Sequence, residues 1–457
     1  MFKYFSKNSR YIYTFFFFIL LFSIYLGNTK SNSVNKKFIQ KIRNIKTENG
    51  VKSGSDAPFP MPSEENLIHW DSGHYWHLKE YGYYKSQGGG DYQYAFFPGF
   101  PLLWRATHLN NIGIIILNFL LFLSSLFILD KTLKKVFINE STIPLFLTLP
   151  SIIIFFIPYS EALSFFVISI SLYFLVSEKR LWAFLFLLIS ATIRPSFTFF
   201  LIAIVLVELF ALIRTRKTRD FLLHLLLRVL PIILGTVFVI LFQHFQDSPK
   251  WFQFYHAQEY WGHKLAFPSE LKDWSTLGFG INIALLVFMV IPLGVLIAYA
   301  TNSVIRKMPS DKTEISKQDY LFILSILYLV GISAFSLLFR QGSLHCLFRF
   351  TLCTPFAFIA LGIGMSKAEK VNIWIRLIIL TIICAFGYFL LSTLAFSKTW
   401  HLDDSGFFLL ASSFILGFSG LSKTKFKFLF TSLLLIANAI WTAYLFNWYL
   451  NDGWIFA

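Results

Sequence analysis

Long apolar runs, separated at short intervals by basic or proline-containing stretches, dominate the chain. They occupy residues 11–27, 112–129, 143–157, 159–176, 181–193, 196–213, 221–245, 278–300, 320–339, 348–365, 373–395, 406–421 and 428–446, thirteen in all. A helix needs about 20 apolar residues to cross a bilayer core. The pattern therefore predicts an all-α polytopic membrane protein, a bundle of about 11–13 transmembrane helices. Two segments, 143–157 and 181–193, are too short to cross about 30 Å as straight helices. They end at Pro158-Tyr159-Ser160-Glu161 and at Arg194-Pro195, where proline stops a helix beside an ionisable group. Broken helices at membrane depth are tolerated only against protein or a water-filled cavity, so both ends are expected to line one.

The polar interruptions orient the spans. Lys3, Lys7 and Arg10 precede the first run and no small-residue cleavage site follows it, which makes residues 1–27 a signal-anchor span with a cytoplasmic N-terminus. If the spans alternate, the connections on the N-terminal side carry Lys131, Lys134 and Lys135; Lys179 and Arg180; Arg214 to Arg219; Arg306 to Lys317; Lys367 and Lys370; and Lys423 to Lys427. Basic loops mark the cytoplasmic face, and residues 28–111 then form one long extracytoplasmic loop. Within it, 28–57 is polar and reads as a flexible arm, whereas 58–111 is aromatic and reads as an ordered catalytic loop. Ser72 to Tyr84 could form a short helix lying in the membrane interface. Residues 112–457 complete a multi-span membrane domain that forms a single unit with the loop.

Composition agrees: 56% of residues are hydrophobic and 14% charged, against roughly 25% charged in soluble domains, which excludes an ordinary cytosolic protein. The net charge of +16 is mostly inner-loop charge, and nucleic acid is not an expected partner. Cys346, Cys353 and Cys384 all lie in apolar stretches and offer neither a disulfide framework nor a zinc spacing.

Asp71 is the centre of the candidate chemistry. A carboxylate in the first outer loop, close to the membrane surface, can accept a proton from an attacking hydroxyl; it can equally N-cap the following helix, and the two roles are compatible. His69, His74 and His77 surround it, and with Asp71 they could hold a divalent metal, although their spacing is no tight metal signature. Arg105 can be read as snorkelling to the interface. Glu161, Arg194, His263, Lys264, Arg340, His345 and Arg349 map to one membrane boundary, a cluster suited to an anionic lipid headgroup. Cations placed there would stabilise negative charge on such a group, with Arg349, Arg194 and His263 as candidates in that order. His74 and Tyr75 count with Glu161 as candidate substrate-binding residues. A metal cofactor is possible there but not required. Glu208 and His224, nearer the opposite face, read as helix-packing partners.

The sequence resembles the PIG-V family, the second mannosyltransferase of GPI-anchor assembly with its bacterial relatives, within the GT-C superfamily. The resemblance lies in Trp70-Asp71 with Tyr75 and Tyr81-Gly82-Tyr83, in Ala95-Phe96-Phe97-Pro98 with Pro101, in Pro158-Tyr159-Ser160-Glu161, in Ala191-Thr192-Ile193-Arg194-Pro195 and in Trp261-Gly262. It implies a GT-C-like bundle and an inverting transfer of mannose from a polyprenyl- or dolichyl-phosphate donor to an acceptor hydroxyl on the non-cytoplasmic face. Under it Asp71 is the base on the far side of the sugar, Glu161 and Arg194 line the site, and Arg349, Arg194 and His263 face the leaving lipid phosphate. The chain departs from relatives at His263, where Arg is frequent, and at Phe350 after Arg349, where Tyr is common. The expected partners are the lipid-linked donor, membrane lipids and an acceptor of unstated class (glycan, lipid or protein). The bacterial cytoplasmic membrane is favoured over the endoplasmic reticulum. A transporter or flippase of a lipid-linked glycan is the alternative from another class, as is a catalytically inert relative.

Overall fold

The computed structural model describes residues 2–29, 58–84, 90–138, 142–215, 217–268, 292–296, 315–342, 346–368, 372, 374–375, 378 and 426–453. Among them the chain is helical with no strand. Among the described residues five helical stretches are long and apolar enough to cross a membrane: Arg10–Asn28, Asn111–Lys135, Thr218–His244 as two helices end to end, Lys317–Phe339 and Thr431–Leu450. Shorter apolar helices, Glu161–Val176, Arg180–Ser190, Phe199–Ile213 and Pro355–Lys367, pack among them. Three expected segments, 278–300, 373–395 and 406–421, fall largely or wholly outside the described residues, as do His345 and the arm 28–57.

Contacts fix the antiparallel order. Arg10 pairs with Asp130 at the far ends of their helices, while the Phe59 N–H donates to Asn28 O at 2.9 Å at the opposite end. The loop 58–111 therefore sits on the end where Glu161, Arg194 and Arg349 emerge. At the other end lies a buried knot around Glu208, which takes hydrogen bonds from Arg228 and from the Tyr320 hydroxyl at 2.8 Å, with His224 Nδ1 at 3.0 Å. Glu208 and His224 are thus packing partners, as their positions suggested.

The short segment 143–157 departs from expectation. It forms a single turn, Ile143–Leu147, then a 3-10 helix, Pro150–Phe156. Proline has no N–H to continue the first turn and its ring opposes the preceding one. Its residues Ile152 to Phe155 are packed in the core. Carbonyls freed by a broken helix must find donors in an apolar medium, and two asparagines supply them. Asn438 Nδ2 donates to Leu147 O and Leu149 O at 2.6 and 3.0 Å. Asn118 Nδ2 donates to Ile157 O and Tyr159 O at 2.7 and 3.1 Å.

The second short segment breaks at its proline. Helix Arg180–Ser190 gives way to a turn at Arg194, a 3-10 helix Pro195–Phe197 and then helix Thr198–Thr215, and Arg194 lines a narrow polar pocket with Ser164, Ser196, Tyr328, Arg349 and Thr354. Two runs that look continuous in sequence are divided. Residues 221–245 form Thr218–Arg228 and Leu230–His244, meeting at Val229 beside Pro231, and 348–365 becomes Leu347–Phe350 and Pro355–Ala368. In both, a proline sets where the second helix starts. Gly235 lets the Leu230–His244 helix approach its neighbour: a Cβ there would lie 2.4 Å from Leu188 O, the close backbone contact that small residues permit between membrane helices.

Replacing Asn118 or Asn438 by leucine keeps side-chain size but leaves two carbonyls without donors. Each variant should lose about 1–3 kcal/mol, read as a lower thermal midpoint of the solubilised protein. An unchanged midpoint would mean that the broken segment is not held by these amides.

Candidate active site

The loop helix Asp71–Tyr81 carries the central carboxylate. Trp70 ahead of it has φ 53°, a region that bulky residues avoid, and surrounding contacts hold it there. The buried Ser72 hydroxyl lies 2.9 Å from Tyr449 OH, which in turn donates to Leu67 O at 2.8 Å. His69 Nδ1 lies 3.2 Å from Asp452, so the Phe426–Leu450 helix and the turn after it clamp the start of the loop helix at two points. One turn on, Tyr75 OH is 2.7 Å from Ser160 Oγ. At the other end Gly82 takes φ 70°, and Arg105 donates from Nη2 to Leu78 O at 3.0 Å and from Nε to Lys79 O. Arg105 is therefore a helix cap rather than a snorkelling side chain.

Four charges meet where this helix touches the bundle. Arg349 Nη2 lies 2.8 Å from Asp71 Oδ2 and 2.7 Å from Glu161 Oε1, and its Nε donates to the same Glu161 oxygen at 2.8 Å. Arg194 Nη1 reaches that oxygen at 2.7 Å. Glu161 is wholly buried and Arg349 nearly so, whereas the Asp71 side chain is 29% exposed; one end of the cluster is open. Three residues of the Pro158–Glu161 motif have a part here. Tyr159 lies beneath the Arg349 guanidinium at 4.8 Å, Ser160 meets Tyr75, and Glu161 opens its helix, where a carboxylate is favoured by the helix dipole. The other motifs position the same charges: Gly99 N donates to Thr192 O at 2.9 Å, and a Cβ on Gly99 would stand 2.8 Å from that oxygen, so the turn leading to Arg194 rests against glycine.

Several expectations change. Asp71 does not cap the helix: Trp70 holds the N-cap position without a side-chain bond, and the carboxylate faces Arg349. Nor does Asp71 lie across a sugar-sized gap from the cations, since it touches one of them. The three histidines diverge. His69 turns to Asp452 and Tyr449, His74 lies against Phe96 at 4.6 Å between ring centroids, and His77 against Tyr81 at 5.1 Å. Among the described residues no group of three His, Cys, Asp or Glu side chains could hold a metal ion. His263 has Nδ1 2.9 Å from Gln258 and its ring against Phe339. Tyr75 is buried and engaged with Ser160, which makes it a brace.

Three contributors escape a reading by motif. Phe350 is flanked by two guanidiniums, Arg194 at 5.3 Å and Arg340 at 4.9 Å, and so joins a third cation to the cluster. Tyr449 and Asn118 lie on apolar spans far from any motif; a polar group inside a span, which must find a partner, is the one signal that marks them.

Burial opposes ionisation of Asp71, yet the Arg349 guanidinium outweighs it and holds the carboxyl below its ordinary range. For His74, burial lowers the pKa, against the pull of Asp71 and with help from His77, so the ring is neutral near pH 7. Burial also raises the Tyr75 hydroxyl well above its usual value. With a lowered folded-state pKa, Asp71 contributes stability above the unfolded carboxylate range that disappears on acidification.

Removing Glu161 would leave two buried guanidiniums without their common acceptor. Glu161→Ala should destabilise by about 3–5 kcal/mol, as for breaking a buried pair, and Asp71→Asn by about 1 kcal/mol or less because its carboxylate is partly solvated. Thermal unfolding of the two solubilised variants checks the order; equal losses would contradict it.

Comparison of the chain with protein-family models, with curated proteins and with solved structures finds no match. The resemblance to PIG-V-like glycosyltransferases therefore rests on the quoted residues.

Proposed function

We propose that the protein is an inverting GT-C-type glycosyltransferase, moving a sugar, with mannose the first choice, from a polyprenyl- or dolichyl-phosphate donor to an acceptor hydroxyl on the non-cytoplasmic face of a membrane. The observation that carries this reading is the Arg349 guanidinium shared between Asp71 and the buried Glu161. Arg194 reaches the same Glu161 oxygen, and Arg340 stands on the Phe350 ring that Arg194 also meets, so guanidiniums gather where the partly exposed Asp71 leaves the cluster open to a phosphate.

The shared guanidinium suggests an exchange. A donor phosphate arriving at Arg349 would take the place of Asp71. The freed carboxylate, no longer held at a low pKa by its partner, becomes a better base. An acceptor hydroxyl then attacks the anomeric carbon and its proton passes to Asp71 as the new C–O bond forms. The bond from that carbon to the phosphate oxygen breaks with its electron pair, and the guanidiniums receive the charge. Attack opposite the leaving group inverts the anomeric centre.

Topology supports the sidedness. Arg10, Lys134, Lys179, Arg180, Arg219 and Lys367 lie toward the end remote from Asp71, which the positive-inside rule makes cytoplasmic. A bacterial cytoplasmic membrane remains the favoured location.

Membranes containing the protein should transfer labelled mannose from polyprenyl-phosphate-mannose, and Asp71→Asn should lower the rate by about 10²- to 10⁴-fold, the range for loss of a general base; equal rates would remove Asp71 from catalysis. Success only with the glucose or arabinose analogue would correct the sugar. The exchange also has a pH signature. The kcat/KM profile reports the free enzyme and kcat the loaded one, so the acid limb of kcat should lie at higher pH than that of kcat/KM. Coincident limbs would sink the displacement of Asp71 from Arg349.

A further inference from the structure

Beside Asp71 stands a group of rings that the transfer chemistry leaves unused. His74 follows Asp71 by three residues and so shares its helix face. Around His74 stand Phe96 at 4.6 Å, Tyr92 at 5.4 Å and Trp261 at 6.4 Å between centroids. Tyr260 extends the wall, 5.0 Å from Tyr92. The inner rings are half-buried, whereas Trp261 is 39% and Tyr260 70% exposed.

This wall is built. Tyr94 OH donates to Gln246 O at 2.9 Å and Gln243 Nε2 to Tyr94 O at 2.8 Å, fixing the 91–96 turn to the Leu230–His244 helix and the turn after it. The other side is tied to the end of the Lys317–Phe339 helix, through Lys264 N to Phe339 O at 2.9 Å and Gln341 Nε2 to Gly262 O at 3.3 Å. Gly262, at φ 70°, makes the turn that presents Trp261. Three chain segments thus hold rings around one point, unlike an interfacial belt, whose rings spread along the lipid boundary.

We propose that Tyr92, Phe96, Tyr260 and Trp261 around His74 form a pyranose-binding subsite, which places an acceptor glycan with a hydroxyl toward Asp71. This rests on the glycosyltransferase reading and deepens it by naming the acceptor class. A pyranose has one face of C–H groups, which packs on the electron-rich face of an aromatic ring, and a rim of hydroxyls, which needs polar partners. The wall supplies the first, and Asp71 with the neutral His74 the second. A serine hydroxyl of a protein acceptor would use no such platform, and a lipid tail would gain nothing from the polar edge.

The test is binding of free mannotriose and maltotriose to the full-length protein in nanodiscs, followed by saturation-transfer NMR and, in parallel, by sugar transfer from the lipid-phosphate donor. At least one trisaccharide should bind. Trp261→Ala and Tyr92→Ala should weaken it about tenfold, in keeping with loss of an aromatic contact. Trp261→Phe should retain most of the binding, and Asp71→Asn should bind while failing to transfer. No binding by the wild type, or binding indifferent to Trp261→Ala and Tyr92→Ala, overturns the subsite and leaves the rings as a membrane-interface belt, whatever the transfer assay shows. Binding lost in the ring variants of a protein that never transfers sugar supports the pyranose site and removes the transferase reading instead.

Discussion

Burying one guanidinium between two carboxylates is the constraint around which the rest of the molecule is arranged. An unpaired Arg349 at its depth would be prohibitively costly, and an unpaired Glu161 equally so. Together, with Tyr159 beneath and Arg194 on the shared oxygen, they are tolerable. Asp71 is the member that differs. It reaches the cluster from the loop side and keeps part of its surface in solvent, so it can leave while the Glu161 pairing holds the cations. The buried pair provides rigidity, and the half-exposed one provides a position that an anionic ligand can contest.

That arrangement demands accurate delivery of four side chains by four separate segments, each irregular where it arrives. The helix carrying Asp71 starts after Trp70 at φ 53°, and the short helix carrying Arg349 starts after Cys346 at φ 59°. Such backbone states cost about 1–3 kcal/mol each and persist where the surroundings over-determine them. Glu161 follows a broken segment and Arg194 precedes a proline-initiated turn. Irregular backbone in an apolar environment needs donors for its freed carbonyls, and Asn118, Asn438 and Arg105 meet that need. Fold and site are therefore coupled: the broken 143–157 segment that the amides hold stands just ahead of Glu161, and Arg105 caps the helix that carries Asp71.

Much of this was legible in the one-dimensional pattern, because apolar length and proline placement act locally. The helical class, the break at Arg194-Pro195, the loop helix near Ser72 and the grouping of Asp71, Glu161, Arg194 and Arg349 at one boundary all follow from residues within a turn or two of each other and from the alternation of basic loops. The division of 221–245 at Val229 and of 348–365 before Pro355 was concealed by unbroken hydropathy, since a helix that stops and restarts remains apolar throughout.

The sequence by itself determined which end of each span carries charge, since burial in an apolar phase permits so few ionisable residues that each is conspicuous. Only the tertiary structure decided which charges pair. Arg349 and Glu161 stand 188 positions apart, and nothing in local pattern separates Arg349 from His263, both cations expected at that boundary. The same holds for Tyr449, 377 positions from the Ser72 it meets, and for Asp71, whose role changes from possible cap to ion-pair partner because a side chain's nearest neighbour is set by packing of distant helices. Local physics chose the cast of residues, and three-dimensional packing chose their partners.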